Sequence, residues 1–207
     1  MPGLALRLLG LVLMTPLQSP ATSVGTHHEL NAMRVMTLAR RFLVPGGLVS
    51  LWCLLRYRAR VSSRAEVELA PGLTLGRGVQ ISSFCKLKAS APLTIGADTH
   101  IASGCFITAG PGSLRIGANC LIGPNVVIMT SDYRYSRLDV PLRLQGSAGK
   151  DTSIGRNVFI GANTVIVAGA RIGDDVIIAA ASLVSGVIAP GSVVGGNPAR
   201  SVFQRRQ

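Results

Sequence analysis

Aliphatic residues recur at every sixth position from 154 to 184: Ile154, Ile160, Ile166, Ile172, Ile178 and Val184. Gly follows at 155, 161 and 173. Four residues after each aliphatic stands Val158, Thr164, Ala170, Val176 or Ser182, small or β-branched in every case. An amphipathic helix would repeat at about 3.6 residues and a half-buried strand at two. A strict period of six marks a parallel β-helix. The same beat starts at Val61, raggedly, and runs through Leu75, Ile81 and Leu87, then Ile95, Ile101 and Ile107, then Ile116, Ile122 and Ile128. It continues beyond 184 at Ile188 and Val194. Extra residues enter after Leu87, after Ile107 and after Ile128, once every third hexad. Three hexads therefore make one coil, a triangular prism of about 18 residues per turn, with the insertions leaving from one corner. Coils stack at about 4.8 Å, and this register sets Cys85 and Cys105 one above the other.

Ahead of the coils, residues 28–44 (HELNAMRVMTLARRFLV) have helical spacing, with Leu30, Met33, Met36 (or Val35) and Leu38 on one side. Pro45-Gly46-Gly47 is expected to break that helix. The next run, LVSLWCLL (48–55), is apolar but well short of the roughly 20 residues that span a bilayer. Arg40 and Arg41 precede it and Arg56, Arg58 and Arg60 follow. It reads either as a helix packed on the end of the β-helix or as a monotopic anchor on an anionic membrane face; its shortness favours the first. Residues 1–24 have some features of a signal peptide, but Arg7 interrupts the apolar run and no Lys or Arg precedes it. A disordered extension or an upstream mis-started frame is the preferred reading. The expected layout is an all-β chain: an N-terminal extension over 1–60, disordered then helical; a parallel β-helix over 61–199 with a long loop at 129–153; and a basic tail over 200–207.

Composition agrees with thin coils. Aromatics make up 4 % of the chain, apolar residues 48 %, and there are 24 glycines, which excludes a globule built round aromatic anchors. The net charge of +12 favours a polyanionic partner: cofactor phosphates, an anionic membrane face or nucleic acid. The near absence of interleaved aromatics and of a recognition motif argues against nucleic acid. The four cysteines, at 53, 85, 105 and 120, form no CxxC pair. Cys85, Cys105 and Cys120 fall at the small interior position of a hexad, as buried reduced thiols of a cytoplasmic protein would, with room for peripheral contact at the inner face of the membrane. No phosphate-cradling loop of the Walker type occurs.

Residues 75–199 resemble the left-handed β-helix of the hexapeptide-repeat acyltransferases, and within them the galactoside, maltose and exopolysaccharide O-acetyltransferases. The resemblance is carried by Ile116–Val126 (IGANCLIGPNV), Ser131–Tyr135 (SDYRY), Pro141–Gly146, Val158–Asn163 (VFIGAN) and the ending Gly195–Arg200 (GGNPAR). Left-handedness follows from the resemblance alone, since parallel crossovers are otherwise right-handed. The resemblance implies a homotrimer with clefts between subunits, acetyl-CoA as co-substrate, and a sugar or lipid-linked sugar as acceptor. It implies a loop histidine as general base, direct attack of the acceptor hydroxyl on the thioester, and a backbone N–H for the oxyanion. By position, Phe159, Gly161, Ala162, Ala179, Ala180 and Ser185 would line the cofactor arm. Arg200, Arg205 and Arg206 would meet its phosphates. Lys150, Arg134 and Arg143 would face an anionic acceptor.

The chain departs from the pattern where the chemistry lies. Tyr133 occupies the loop histidine's position, and no histidine follows His100. A tyrosine with an ordinary pKa of about 10 is a poor base at neutral pH. The asparagine often found in the facing coil is Ala102. Three readings stand: Asp132 is the base and Tyr133 positions the acceptor; His100 reaches the cleft from a neighbouring subunit; or the chain is a catalytically silent relative that keeps the scaffold. No metal is expected. Zinc enzymes on this fold gather three histidines, whereas His27 and His28 precede the β-helix, and copies of His100 could meet only on a three-fold axis.

Overall fold

A computed structural model describes residues 45–205; the stretch 1–24 and the helix expected over 28–44 lie outside them. The chain forms a left-handed parallel β-helix of about seven turns with one short helix at its start. The first side of the prism stacks Arg60–Val61, Gln80–Ile81, His100–Ile101, Leu121–Ile122, Phe159–Ile160, Ile177–Ile178 and Ser192–Gly195 in parallel register. The second stacks Glu66–Val67 through Leu183–Val184, and the third Leu73–Leu75 through Val187–Ile188, six strands each. The sixfold beat is the inward position: Ile101, Ile107, Ile128, Ile160, Ile166, Ile178 and Val184 are fully buried. So are the small residues between them, Val158, Thr164, Ala170 and Val176.

Two backbone demands explain the rest of the hexad. Just past several strands, where glycine stands, the chain passes hard against the next coil. A Cβ on Gly117 would lie 2.5 Å from the carbonyl carbon of Gly155, and one on Gly161 2.4 Å from the amide nitrogen of Ala180. Two residues further on, the corner turns through the left-handed region, at Asp98, Asn119, Asn125, Asn157, Asn163 and Asp175, with φ between 54° and 61°. Asn and Asp tolerate that conformation best after Gly. They also bridge coils, since Asn157 Nδ2 donates to Asp175 Oδ1 at 2.6 Å.

The insertions between the second and third strands of the early coils leave from one corner, as the hexad count requires. The largest runs from Ile128 to Thr152 in the fourth coil and is structured. Ser131–Tyr133 pairs antiparallel with Ser147–Gly149, and Gln145 closes the tip by donating to the carbonyls of Arg137 (2.6 Å) and Val140 (2.8 Å). Its base is pinned by the fully buried Thr130, whose hydroxyl donates to Gly112 O and accepts from Gly110 N, each at 2.8 Å. Asp151 Oδ1 accepts from the amide and hydroxyl of Ser113 at 2.8 and 2.7 Å. Those bonds hold the Asp151 carboxyl below its usual range.

The two ends of the prism are both closed. Pro45 caps a helix, α1, Gly46–Tyr57, that runs through the apolar stretch 48–55; the helix expected to end at Pro45 lies outside the described residues. Gly46 is required there because a Cβ would fall 2.0 Å from Ser63 O in the first coil. α1 closes the open end of the prism with the buried Trp52 and Cys53, and Tyr57 donates its hydroxyl to Leu73 O at 2.9 Å. At the other end, residues 200–204 are not a loose tail. They fold back as an antiparallel strand on Ser192–Gly195 and cap the last coil's edge.

Because corner spacing and core filling are separate constraints, Gly117→Ala is expected to destabilise the fold by about 1–3 kcal/mol. Ile122→Ala, at a nearly inaccessible core site, is expected to cost about 2–5 kcal/mol. Urea unfolding followed by circular dichroism measures both; an unchanged midpoint for Gly117→Ala would contradict the close coil approach.

Candidate functional site

The residues that sequence reading assigns to the cofactor fall on different corners. The first–second corner carries Gly161 and Ala162 in the fifth coil and Ala179 and Ala180 in the sixth, in register, with Gly123 below and Gly195 above. Gly123 and Gly195 join this column although sequence reading did not assign them to it; counting one coil down and up finds both. The column's glycines are explained by packing alone, since a Cβ at Gly161 meets the backbone of the next coil. Ala179 and Ala180 are exposed, and Ala162 half so. Arg200 pairs with Gly195 at the head of this column, and its side chain is exposed.

Ser185 lies elsewhere, at the second–third corner between Leu183–Val184 and Val187–Ile188. Arg205 lies at the third–first corner, where its Nη1 donates to Asp175 O at 2.9 Å and its amide to Gly191 O at 2.8 Å. Neither joins the column within one protomer, because a prism sends successive hexads to different corners.

Phe159 points outward from the first side, 44 % exposed, between Leu121 below and Ile177 above. Leu121, 53 % exposed, extends the same apolar ladder and was missed because a lone outward leucine carries no periodic signal. Below Leu121 the ladder turns polar at His100. His100 Nε2 lies 3.3 Å from Ser82 Oγ, a partner eighteen residues earlier and one coil down. Ala102 follows at the adjacent corner, half-buried.

Asp132 and Tyr133 lie on the loop hairpin, and Asp132 Oδ1 accepts the Tyr133 amide at 2.8 Å. The Tyr133 ring is 66 % exposed, and Tyr135 and Leu138 beyond it are more so. The hairpin leaves the second–third corner and the small-residue column runs along the first–second corner, so the two stand at opposite edges of the second side. Arg134 and Arg143 on the loop are exposed, as is Lys150 at its base.

The cysteines are all buried free thiols. Cys85, Cys105 and Cys120 donate to the carbonyls of Ala102, Gly123 and Gly155 in the next coil at 3.0–3.2 Å. Burial pushes the Cys53 thiol up to about 11. The Cys85 sulfur, and then burial, push Cys105 up. Among the described residues no group of three His, Cys, Asp or Glu side chains could hold a metal ion.

Two known sequence families match the coils. Residues 151–186 match the bacterial transferase hexapeptide family (six repeats), and residues 113–131 the hexapeptide repeat of succinyl-transferase. A putative acetyltransferase, YvoF, of Bacillus subtilis is 34 % identical over 97 residues, 47 % of this chain and 51 % of that protein. Galactoside O-acetyltransferase of Escherichia coli is 36 % identical over 91 residues, 44 % of this chain and 43 % of that protein. The matched stretch thus spans about half the length of these relatives or less. Among solved structures, a variant of AntD, an N-acyltransferase from Bacillus cereus in complex with dTDP and coenzyme A, superimposes with a TM-score of 0.66. It shares 20 % identity, and the superposition covers 75 % of this chain and 88 % of that one.

The cysteines offer a check on this geometry. With three inside the prism and Cys53 buried on the packed face of α1, none is expected to react with a thiol reagent such as dithionitrobenzoate in the native protein at pH 8, and all four in denaturant. Rapid native labelling would mean that the coils are not closed as described.

Proposed function

The chain belongs to the hexapeptide-repeat acyltransferase family, and from that premise we propose that it moves an acyl group, acetyl in the first instance, from coenzyme A to a hydroxyl or amine of a sugar. The reading rests on one observation above all. A structured hairpin with Tyr135 and Leu138 exposed near its tip, and a small-residue column exposed at Ala179 and Ala180 and headed by Arg200, stand at opposite edges of the same side. A neighbouring copy that brings its hairpin to this column would close a cleft, which supports a homotrimer with sites between subunits. The exposure of Phe159, Leu121, Tyr133, Tyr135 and Leu138 is the surface that such packing would cover.

In that cleft the cofactor arm follows Ala162, Ala179 and Ala180, beside the Phe159 ring. Arg200 meets a phosphate, which its planar fork suits. Arg205, tied to Asp175 O, follows the capping strand, and Ser185 would contribute only from its own corner. The acceptor hydroxyl or amine attacks the thioester carbonyl carbon, its proton passes to a base, and the C–S bond breaks to release the thiol. Asp132, beside Tyr133, is the base in this reading, and Tyr133 positions the acceptor. Arg134, Arg143 and Lys150 favour an acceptor that carries phosphate, as nucleotide- and lipid-linked sugars do.

A second reading is favoured by a specific observation: with Tyr133 exposed at the histidine's position, the scaffold would bind cofactor and sugar without turnover. A thiol-release assay with acetyl-CoA over a panel of hydroxy- and amino-sugars, paired with calorimetric titration of acetyl-CoA, separates the two. On the transferase reading, Asp132→Asn lowers kcat by about 10²–10⁴-fold with little change in acetyl-CoA affinity. Tyr133→His maintains or raises turnover. Binding without thiol release from any acceptor would instead support the silent relative. Arg200→Ala is expected to weaken acetyl-CoA binding by about tenfold, as loss of one charge-assisted bond does, whereas Arg205→Ala leaves it within about twofold. Equal effects of the two would rule out Arg200 as the phosphate contact.

A further inference from the structure

α1 has two apolar faces. One, with Val49, Trp52, Cys53 and Tyr57, packs on the first coil. On the adjacent face Leu48, Leu51, Leu54 and Leu55 share one stripe at helical spacing and are 41–55 % exposed. The helix carries no carboxylate. Exposed arginines stand at both of its ends: Arg56, Arg58 and Arg60 at the C-terminal end, and Arg64 in the corner that touches Gly46 at the other. Among the described residues no helix is long and apolar enough to cross a membrane.

We propose that this leucine stripe with its arginine rim docks the protein on an anionic bilayer surface, α1 lying flat in the headgroup region and the prism standing away from it. Charge selects this occupant. A second copy of the same face would set arginines against arginines. The preceding stretch 28–44 carries Arg34, Arg40 and Arg41 against a single Glu29, so it offers the same sign again. A protein partner would be expected to meet aromatic or polar anchors, whereas the stripe is aliphatic throughout. Leucines sunk into the acyl boundary beneath a rim of cations are what an anionic membrane surface rewards. The candidate cleft begins at the fourth coil, so docking would hold it on the order of 15–20 Å above the membrane at one rung per about 4.8 Å. The docking does not depend on the transferase reading; if both hold, the cleft is within reach of a sugar carried on a lipid.

The test uses the full chain and sedimentation with vesicles of phosphatidylcholine, with or without phosphatidylglycerol. The wild type is expected to bind the anionic vesicles, to bind the neutral ones at least about tenfold more weakly, and to be released as salt rises. Leu51→Glu with Leu54→Glu is expected to lower anionic-vesicle binding by about tenfold or more, with an unchanged Tm and sedimentation mass. Should that variant fail to fold, Arg56→Glu with Arg60→Glu leaves every leucine in place and is expected to lose about tenfold as well. Three results would overturn the proposal: no preference for anionic vesicles, leucine or arginine variants that bind like the wild type, or a leucine variant with a smaller oligomeric mass, which would identify the occupant as a second copy.

Discussion

The close approach of backbone at the corners of the prism is the constraint on which everything else here depends. Adjacent coils are about 4.8 Å apart, and at several corners there is no room for a Cβ: one on Gly117 or Gly161 would lie 2.4–2.5 Å from backbone atoms of the next coil. The chain must then turn through positive φ, which Asn119, Asn157 and Asn163 supply. With corners so fixed, each side holds one inward aliphatic per coil, beside a small residue in most coils and beside Leu73, Leu93 and Leu114 on the third side of the first three. Van der Waals contact along these ladders, rather than a central aromatic cluster, forms the core.

That constraint separates structure from chemistry along the chain. Inward and corner residues are committed to stacking, so the small residues that resemble a cofactor wall have a packing reason of their own. What stacking leaves free is the outward position of each strand and the length of the loop at the second–third corner. Phe159, His100 and Arg200 use the first freedom, and Tyr133 and Asp132 the second. The hairpin can grow because Thr130, Ser113 and Asp151 tie its base into the coils while its tip remains outside the rung spacing. In the proposed reading, a site assembled from such features lies at the edges of a protomer and is completed by a neighbour.

The N-terminal end follows the same logic. A β-helix leaves its first rung without a partner below, exposing apolar side chains and unpaired backbone groups. α1 covers that end with Trp52 and Cys53, and the antiparallel strand Arg200–Gln204 pairs with the last rung at the far end. Closing the first rung requires only one face of a helix, yet α1 is apolar on two. The leucines of the second face are exposed among the described residues.

The hexad period in the sequence determined the parallel coils, their register, the buried ladder and the corner from which the loops depart, because each is set by local backbone geometry repeated without tertiary choice. It also located Tyr133, since the insertion interrupts a count that is otherwise strict. Only the tertiary structure decided the ends and the grouping of the site. Gly46 starts a helix because Ser63 O leaves no room for a side chain, and 200–204 becomes a strand because the last rung is open. Neither cause is visible in a stretch read alone. Ser185 and Arg205 part from Ala162 and Ala179 because the prism turns a shift of one hexad into a different corner. Ser82 meets His100 because coils stack, so a separation of eighteen residues becomes a distance of 3.3 Å.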